Sequence, residues 1–347
     1  VALDATHVYW SATGELDGEG KPQDGLGTIG RAEIGLTEGE EVDEDFITGA
    51  NNPQGVAVNA THVYWANGGR LSGGGAEAVA TRTIGRAVLG ATEATGVDQD
   101  FIQVDTGSRE LKPQGLAINA THIYAAVNGA QAQSYVFRWG LPEGLNKLEF
   151  FDSQHIGLAG VRGIALDANF VYWARQGQNR IGRIPLDLVD DSDAKREWNK
   201  GAQFPIGLAV DADNIFWAAN QGAPPNAGND LYRYEVASGK LTDLSVDTGS
   251  VAKGADVQGV LGTSEDGESV YFVANGDLDE GGPATGVLPP EGCEGKFTDK
   301  DTVYSGECNL YLAREGEATR FIARLDADAR ITDSDATNWA PHGAAGR

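Results

Sequence analysis

The chain has 347 residues, 51 acidic against 26 basic, for a formal net charge of −25. Such a field repels nucleic-acid phosphates and anionic membranes, which argues against nucleic acid as a partner. No apolar run approaches the ~18–20 residues of a membrane span, so membrane insertion is not expected.

One phrase recurs along the chain. It opens at 1–10 as V-A-L-D-A-T-H-V-Y-W and returns at 53–67, 113–126, 162–175 and 205–219. A looser sixth copy lies at 258–275. A period of roughly 45–60 residues marks a repeat architecture.

In chain order, each repeat carries four strand signals. The first is a Gly-led apolar run such as Val56-Ala57-Val58, followed by an Asp or Asn turn at Asp4, Asn59, Asn119, Asp167 and Asp211. These side chains bond their own backbone in tight turns, which also accounts for the glycosylation-like triplets Asn59-Ala60-Thr61 and Asn119-Ala120-Thr121. The second strand is Val8-Tyr9-Trp10 and its counterparts Val63-Tyr64-Trp65, Val171-Tyr172-Trp173 and Ile215-Phe216-Trp217. Aromatic and β-branched residues at this density favour a half-buried strand. The third carries an Arg, at Arg31, Arg86, Arg138, Arg183 and Arg233, with Leu312 in the sixth copy. The fourth is short: Phe46-Ile47, Phe101-Ile102, Phe150-Phe151, Glu197-Trp198, Leu241 to Leu244 and Phe321-Ile322. No long stretch has helical periodicity.

Four short antiparallel strands, repeated six times, define an all-β fold: a six-bladed β-propeller in a single domain over 1–347. The blades are expected at about 1–54, 55–114, 115–162, 163–206, 207–258 and 259–325, with a tail at 326–347. Trp of the second strand is expected to fill the gap between blades. His7, His62 and His122 recur at one blade position, which marks them as architectural. The strand-three Arg is expected to pair with acidic residues of its own or a neighbouring blade.

The pattern of Gly-apolar-Ala-apolar-Asp, then Tyr-Trp, then Ile181-Gly182-Arg183-Ile184-Pro185-Leu186-Asp187, resembles the YWTD repeat of low-density-lipoprotein-receptor propellers over about 1–217. The Thr-Asp after Tyr-Trp is replaced here by Ser11-Ala12, Ala66-Asn67, Ala174-Arg175 and Ala218-Ala219, so that family's structural Asp does not carry over. From about 229, Asn229 to Tyr234 and Ser264 to Phe272 are similar to TolB-type bacterial propeller repeats. The resemblance implies a bacterial propeller with blades of two kinds.

Loops from strand two to three, and from strand four to the next strand one, share one face of such a fold. The long ones are 11–27, 67–82, 219–229 and 275–308, and long loops on a rigid scaffold are where binding resides. Residues just before the strand-one Gly should lie at the mouth of the axis on that face: Gln54, Gln114, Arg162, Ile206 and Gln258. Asn67, Arg175, Asn220 and Asn275 follow strand two and should flank it. A polar rim of this kind suits a protein, peptide or glycan ligand. Catalytic signals are thin, and His155 with Arg162 is the only acid/base pair available to a lyase or hydrolase at the channel mouth. The sequence requires no cofactor. Calcium is the one candidate, through Asp277, Asp279 and Glu280, although their spacing lacks the pattern of a calcium loop.

Cys293 and Cys308 are the only cysteines and imply a local disulfide, hence an oxidising compartment. The expected location is extracellular or the bacterial cell surface. The chain starts inside a repeat phrase without Met, so residue 1 is not expected to be a translation start. The overall expectation is a non-enzymatic binding scaffold.

Overall fold

The computed structural model describes residues 2–4, 6–12, 25–33, 43–68, 82–92, 95–104, 111–129, 134–141, 148–149, 160–175, 178–187, 195–199, 202, 205–211, 213–219, 230–245, 255, 257–263, 269–274, 278, 297–299, 302–303, 306–314 and 317–327. They form six four-stranded antiparallel sheets and one two-stranded hairpin, Phe297–Asp299 with Thr302–Val303. The fold is a six-bladed β-propeller, and no α-helix occurs among the described residues.

In blade one, β1 (Ala2–Leu3), β2 (His7–Ala12), β3 (Gly27–Glu33) and β4 (Asp43–Ala50) pair in chain order. Blade two repeats this with β5 (Pro53–Val58), β6 (His62–Asn67), β7 (Thr83–Thr92) and β8 (Thr95–Gln103). Blade three has β9 (Lys112–Ile118), β10 (His122–Asn128), β11 (Ser134–Gly140) and β12 (Leu148–Glu149). Blade four has β13 (Val161–Leu166), β14 (Phe170–Arg175), β15 (Arg180–Pro185) and β16 (Lys195–Asn199). Blade five has β17 (Pro205–Val210), β18 (Asn214–Ala219), β19 (Leu231–Glu235) and β20 (Leu241–Asp243). Blade six has β21 (Val257–Thr263), β22 (Ser269–Ala274), β25 (Gly306–Arg314) and β26 (Arg320–Ala327), the small hairpin being β23 and β24. Blade three's fourth strand thus falls at 148–149; Phe150-Phe151 lie outside the described residues.

Two compact units divide the chain at residue 164. In the first, the Tyr face of one blade packs on the Trp face of the next. Tyr9, Ile29, Phe46 and Ile47 of blade one share a core with Val56, Val63 and Trp65 of blade two. Tyr64, Ile84 and Ile102 of blade two meet Leu116, Ala125, Phe137 and Trp139 of blade three. The second unit repeats the arrangement: Tyr172 and Ile181 with Ile215 and Trp217, then Phe216 and Leu231 with Phe272 and Tyr311. Trp65 and Trp217 therefore fill inter-blade gaps as expected.

Within a blade the same Trp meets the Gly directly opposite on strand three. The pairs are Trp10–Gly30, Trp65–Gly85 and Trp173–Gly182. A Cβ on any of these glycines would lie within 2.4 Å of the indole, so only Gly admits the ring. Blade three inverts the sizes: Ala125 faces Phe137. Phe137 stacks on Tyr135 at 5.5 Å between ring centroids and meets Trp139 at a tilt of 58°, 5.6 Å away.

The turn residues behave as the sequence implies. Asp4 Oδ1 accepts the amides of Thr6 and His7, and its Oδ2 accepts the Tyr9 hydroxyl at 2.8 Å. Asp167 does the same for Asn169, Phe170 and Tyr172. Asn59 and Asn119 accept the amides of Thr61 and His62, and of Thr121 and His122. Nδ1 of His7, His62 and His122 each lies 2.8 Å from the neighbouring Thr hydroxyl.

The strand-three Arg has a partner that its acidic neighbours alone did not suggest. Arg31 pairs with Asp43 at 3.4 Å, but its guanidinium also lies 3.8 Å over the Phe46 ring. Arg86 covers Phe101, and Arg183 covers Phe170 and Trp198. Cation–π contact of this kind ties strand three to an aromatic side chain of the same blade.

Candidate functional site

In the first unit, Gln54, Gln114 and Arg162 lie within the first three residues of β5, β9 and β13, and each precedes a Gly. At Gly55 the reason for that Gly is visible: a Cβ there would lie 2.4 Å from the Gln114 carbonyl oxygen. The inner strands of blades two and three approach too closely for any side chain at that point. At Gly207 the approach is looser, a Cβ lying 3.3 Å from the Val260 amide nitrogen.

Around Gln54 the chain gathers amides at one end of blade two. Pro53 and Asn67 are register partners, which puts the start of β5 beside the end of β6. Gln54 Nε2 donates to Asn52 Oδ1 at 3.0 Å, and Gly68 donates its amide to the Asn52 carbonyl. Asn52 has φ 49°, a left-handed conformation that Asn tolerates better than most residues. Ser11 of blade one donates its hydroxyl to the Gln54 carbonyl.

Asn67 is 1% exposed. Its Oδ1 accepts the Asn51 amide, while Nδ2 donates to the Thr83 hydroxyl and the Gln99 carbonyl, each at 3.0 Å. These bonds position the entry to β5. Asn51 Oδ1 lies beside them, shielded from solvent and without a hydrogen-bond partner. A buried acceptor left unpaired is costly and rare. The sequence marked Gln54 and Asn67 but not Asn51 or Asn52. Nothing in composition or period singles out Asn51 or Asn52.

Blade three uses the same device. Asn128 Oδ1 accepts the Ser134 hydroxyl and the Val161 amide, fixing the start of β13. Gln114 is half-buried, and its Nε2 makes only a long 3.4 Å contact to the Pro113 carbonyl.

The other expected residues are distributed differently. Arg175 is buried at the end of β14, opposite Arg180. Arg162 and Gln258 hold inner-strand positions in β13 and β21. Cys308 lies in β25 opposite Leu325. His155, Asn220, Asn275, Asp277, Asp279, Glu280 and Cys293 lie outside the described residues, as do most of the long loops and the tail beyond 327. Among the described residues, no three His, Cys, Asp or Glu side chains could jointly hold a metal. In blade five, burial and then the Asp243 charge raise the pKa of Asp230. Burial, then the charges of Asp230 and Asp243, push the Tyr232 hydroxyl up to about 12.

No protein-family model and no curated protein matches the chain. Solved structures do. TolB from Acinetobacter baumannii is similar at 12% identity and a TM-score of 0.50, over 91% of this chain and 65% of that one. A prolyl endopeptidase is similar at 12% identity and TM-score 0.50, over 92% of this chain and 42% of that one. A chain of a nidogen/laminin complex gives 17% identity and TM-score 0.48, over 78% of this chain and 86% of that one. The chain therefore spans less than two thirds of the TolB and endopeptidase chains. At such identities the likeness to those two shows the fold alone. The protein is a six-bladed β-propeller, and its resemblance to TolB-type propellers holds at that level.

Proposed function

We propose that this propeller is a non-enzymatic binding scaffold, extracellular or on the bacterial cell surface, that takes a protein, peptide or glycan at the inner-strand ends of blades two to four. Gln54, Gln114 and Arg162 form the row that meets it. The observation that carries this reading is the amide cluster at Gln54: Asn51 keeps a buried, unpartnered carbonyl oxygen beside Asn52 in a left-handed conformation. Buried unpaired acceptors and backbone strain concentrate where a ligand supplies the missing partner. Amides offer donors and acceptors together, which matches hydroxyls and peptide groups. Arg162 adds planar donors for a carboxylate or paired hydroxyls.

An oxidising location goes with a Cys293–Cys308 bridge, which belongs to the same proposal. The test is a glycan and peptide array probed with the wild type and with Gln54→Ala, Gln114→Ala and Arg162→Ala. Hits that weaken in these variants at unchanged melting temperature support the site. Hits indifferent to all three remove it.

A further inference from the structure

The sequence holds three Asn-Gly pairs, Asn67-Gly68, Asn128-Gly129 and Asn275-Gly276, the last outside the described residues. In such a pair the glycine nitrogen stands next to the side-chain carbonyl carbon of the asparagine, and no Cβ crowds its approach. Attack closes a succinimide ring and expels ammonia. The fold treats the two described pairs in opposite ways.

At Asn67 every participant is held. The side-chain nitrogen donates to the Thr83 hydroxyl and the Gln99 carbonyl, and the Gly68 amide donates to the Asn52 carbonyl. Asn67 and Gly68 are both buried, which keeps water away. At Asn128 the bonds fall elsewhere. β10 ends at this residue, so Gly129 has left the ladder, and its amide has no hydrogen-bond partner among the described residues. Both Asn128 and Gly129 are half-buried, within reach of water. The Asn128 side-chain oxygen takes two donors, the Ser134 hydroxyl at 3.0 Å and the Val161 amide at 3.1 Å. That oxygen turns anionic when the carbon beside it is attacked, and donors already in place stabilise the developing charge. At Asn67 the same oxygen takes one donor, the Asn51 amide.

We propose that Asn128 is a self-modification site, deamidated to aspartate and isoaspartate through a succinimide formed with Gly129. The Gly129 amide gives its proton to hydroxide, its nitrogen bonds to Asn128 Cγ, and Nδ2 leaves as ammonia. Water then opens the ring at either carbonyl. The aspartate product adds a negative charge and keeps an oxygen for both donors. The isoaspartate product moves one carbon from the side chain into the main chain and shifts the oxygen that fixes Val161. Val161 opens β13 and precedes Arg162, so this product loosens the start of that strand.

The test incubates the folded protein at mildly alkaline pH, beside the same protein unfolded in guanidinium chloride. Peptide mass spectrometry follows the replacement of NH2 by OH at each Asn-Gly pair. In the folded protein Asn128 should convert at least tenfold faster than Asn67. In denaturant the two should convert at similar rates, since only the fold distinguishes them. Ser134→Ala removes one donor and should slow Asn128 several-fold in the folded protein and not in the unfolded one. Ser134→Thr keeps the hydroxyl and should keep the rate. If Ser134→Ala fails to fold, the wild-type comparison decides alone. Equal rates at Asn128 and Asn67 in the folded protein overturn the proposal. So does a folded-state rate at Asn128 far below its rate in denaturant, because the strand end then protects the pair.

Discussion

Trp65 lies against Gly85, its register partner on the adjacent strand, so closely that a Cβ on the glycine would stand 2.3 Å from the indole Cε2. The indole Nε1 donates to Gln99 Oε1, and Gln99 in turn donates to the Thr48 carbonyl of blade one. One side chain therefore packs its own blade and, through Gln99, helps tie it to the preceding one.

Gly85→Ala should destabilise the protein by about 1–3 kcal/mol through overpacking. Trp65→Ala should cost about 3–5 kcal/mol by leaving a cavity. Blade three shows a working alternative, Ala125 opposite Phe137. The double variant Trp65→Ala/Gly85→Phe should thus be less destabilised than the sum of its single variants, measured by urea unfolding. Simple additivity would show that the two positions do not share one volume.

Tyr172 is buried and donates its hydroxyl to Asp167 at 2.7 Å. Burial, and then this bond and the charge of Asp167, push its pKa well above the ordinary value. Tyr172→Phe should lower stability by about 1.5 kcal/mol, the low end for a bond to a charged group, since Asp167 can regain water. Unfolding of the variant in denaturant checks this. An unchanged midpoint would mean that the turn holds without the hydroxyl, as blade five's Phe216 does.

Acid should destabilise the fold in two stages. Burial, then the charge of Arg86 or Arg138, holds His62 and His122 below the ordinary 6.5. The unfolded chain then takes up protons first, so stability falls as pH drops through 6.5. Asp4 follows at lower pH. Burial opposes its ionisation, but the amides of Thr6 and His7 and the Tyr9 hydroxyl outweigh it and hold the carboxyl below 3.8. Stability from Asp4 is present above that value and is lost as pH falls through the folded-state one. Denaturation midpoints from pH 7.5 to 3 should decline accordingly, and His62→Gln should flatten the part between 7 and 5.5. A midpoint that rises on acidification to 5.5 would contradict the assignment.

Cys293 and Cys308 should be linked in protein purified from an oxidising compartment. Non-reducing peptide mass spectrometry should show the bridge, which in the loop-entropy model contributes roughly 3 kcal/mol. Free thiols in such protein would remove the argument for an oxidising location.

Much of this was legible from the chain because propeller repeats print their geometry at fixed spacing. The Asp4 and Asn59 turns, the Tyr-Trp strand and the strand-three Arg each recur at one place. What was not legible depends on partners across strands. The Gly of Ile-Gly-Arg has no evident role in the sequence until Trp65 is seen to occupy its side-chain space. Arg31 suggests a carboxylate partner, and Asp43 supplies one, but the ring of Phe46 lies beneath as well. Of the proposed site, Gln54 and Gln114 were singled out from position alone. Asn51 and Asn52 were not, since an unpaired buried oxygen has no signature in composition or period.

The claim that matters most is binding at the Gln54, Gln114 and Arg162 row. The measurement is an array of glycans and peptides probed with the wild type and a Gln54→Ala/Gln114→Ala/Arg162→Ala triple variant, with both melting temperatures recorded. The account predicts wild-type hits that the triple variant loses at a nearly unchanged melting temperature. Hits retained by the folded triple variant, or turnover of an array member by the wild type, would contradict it.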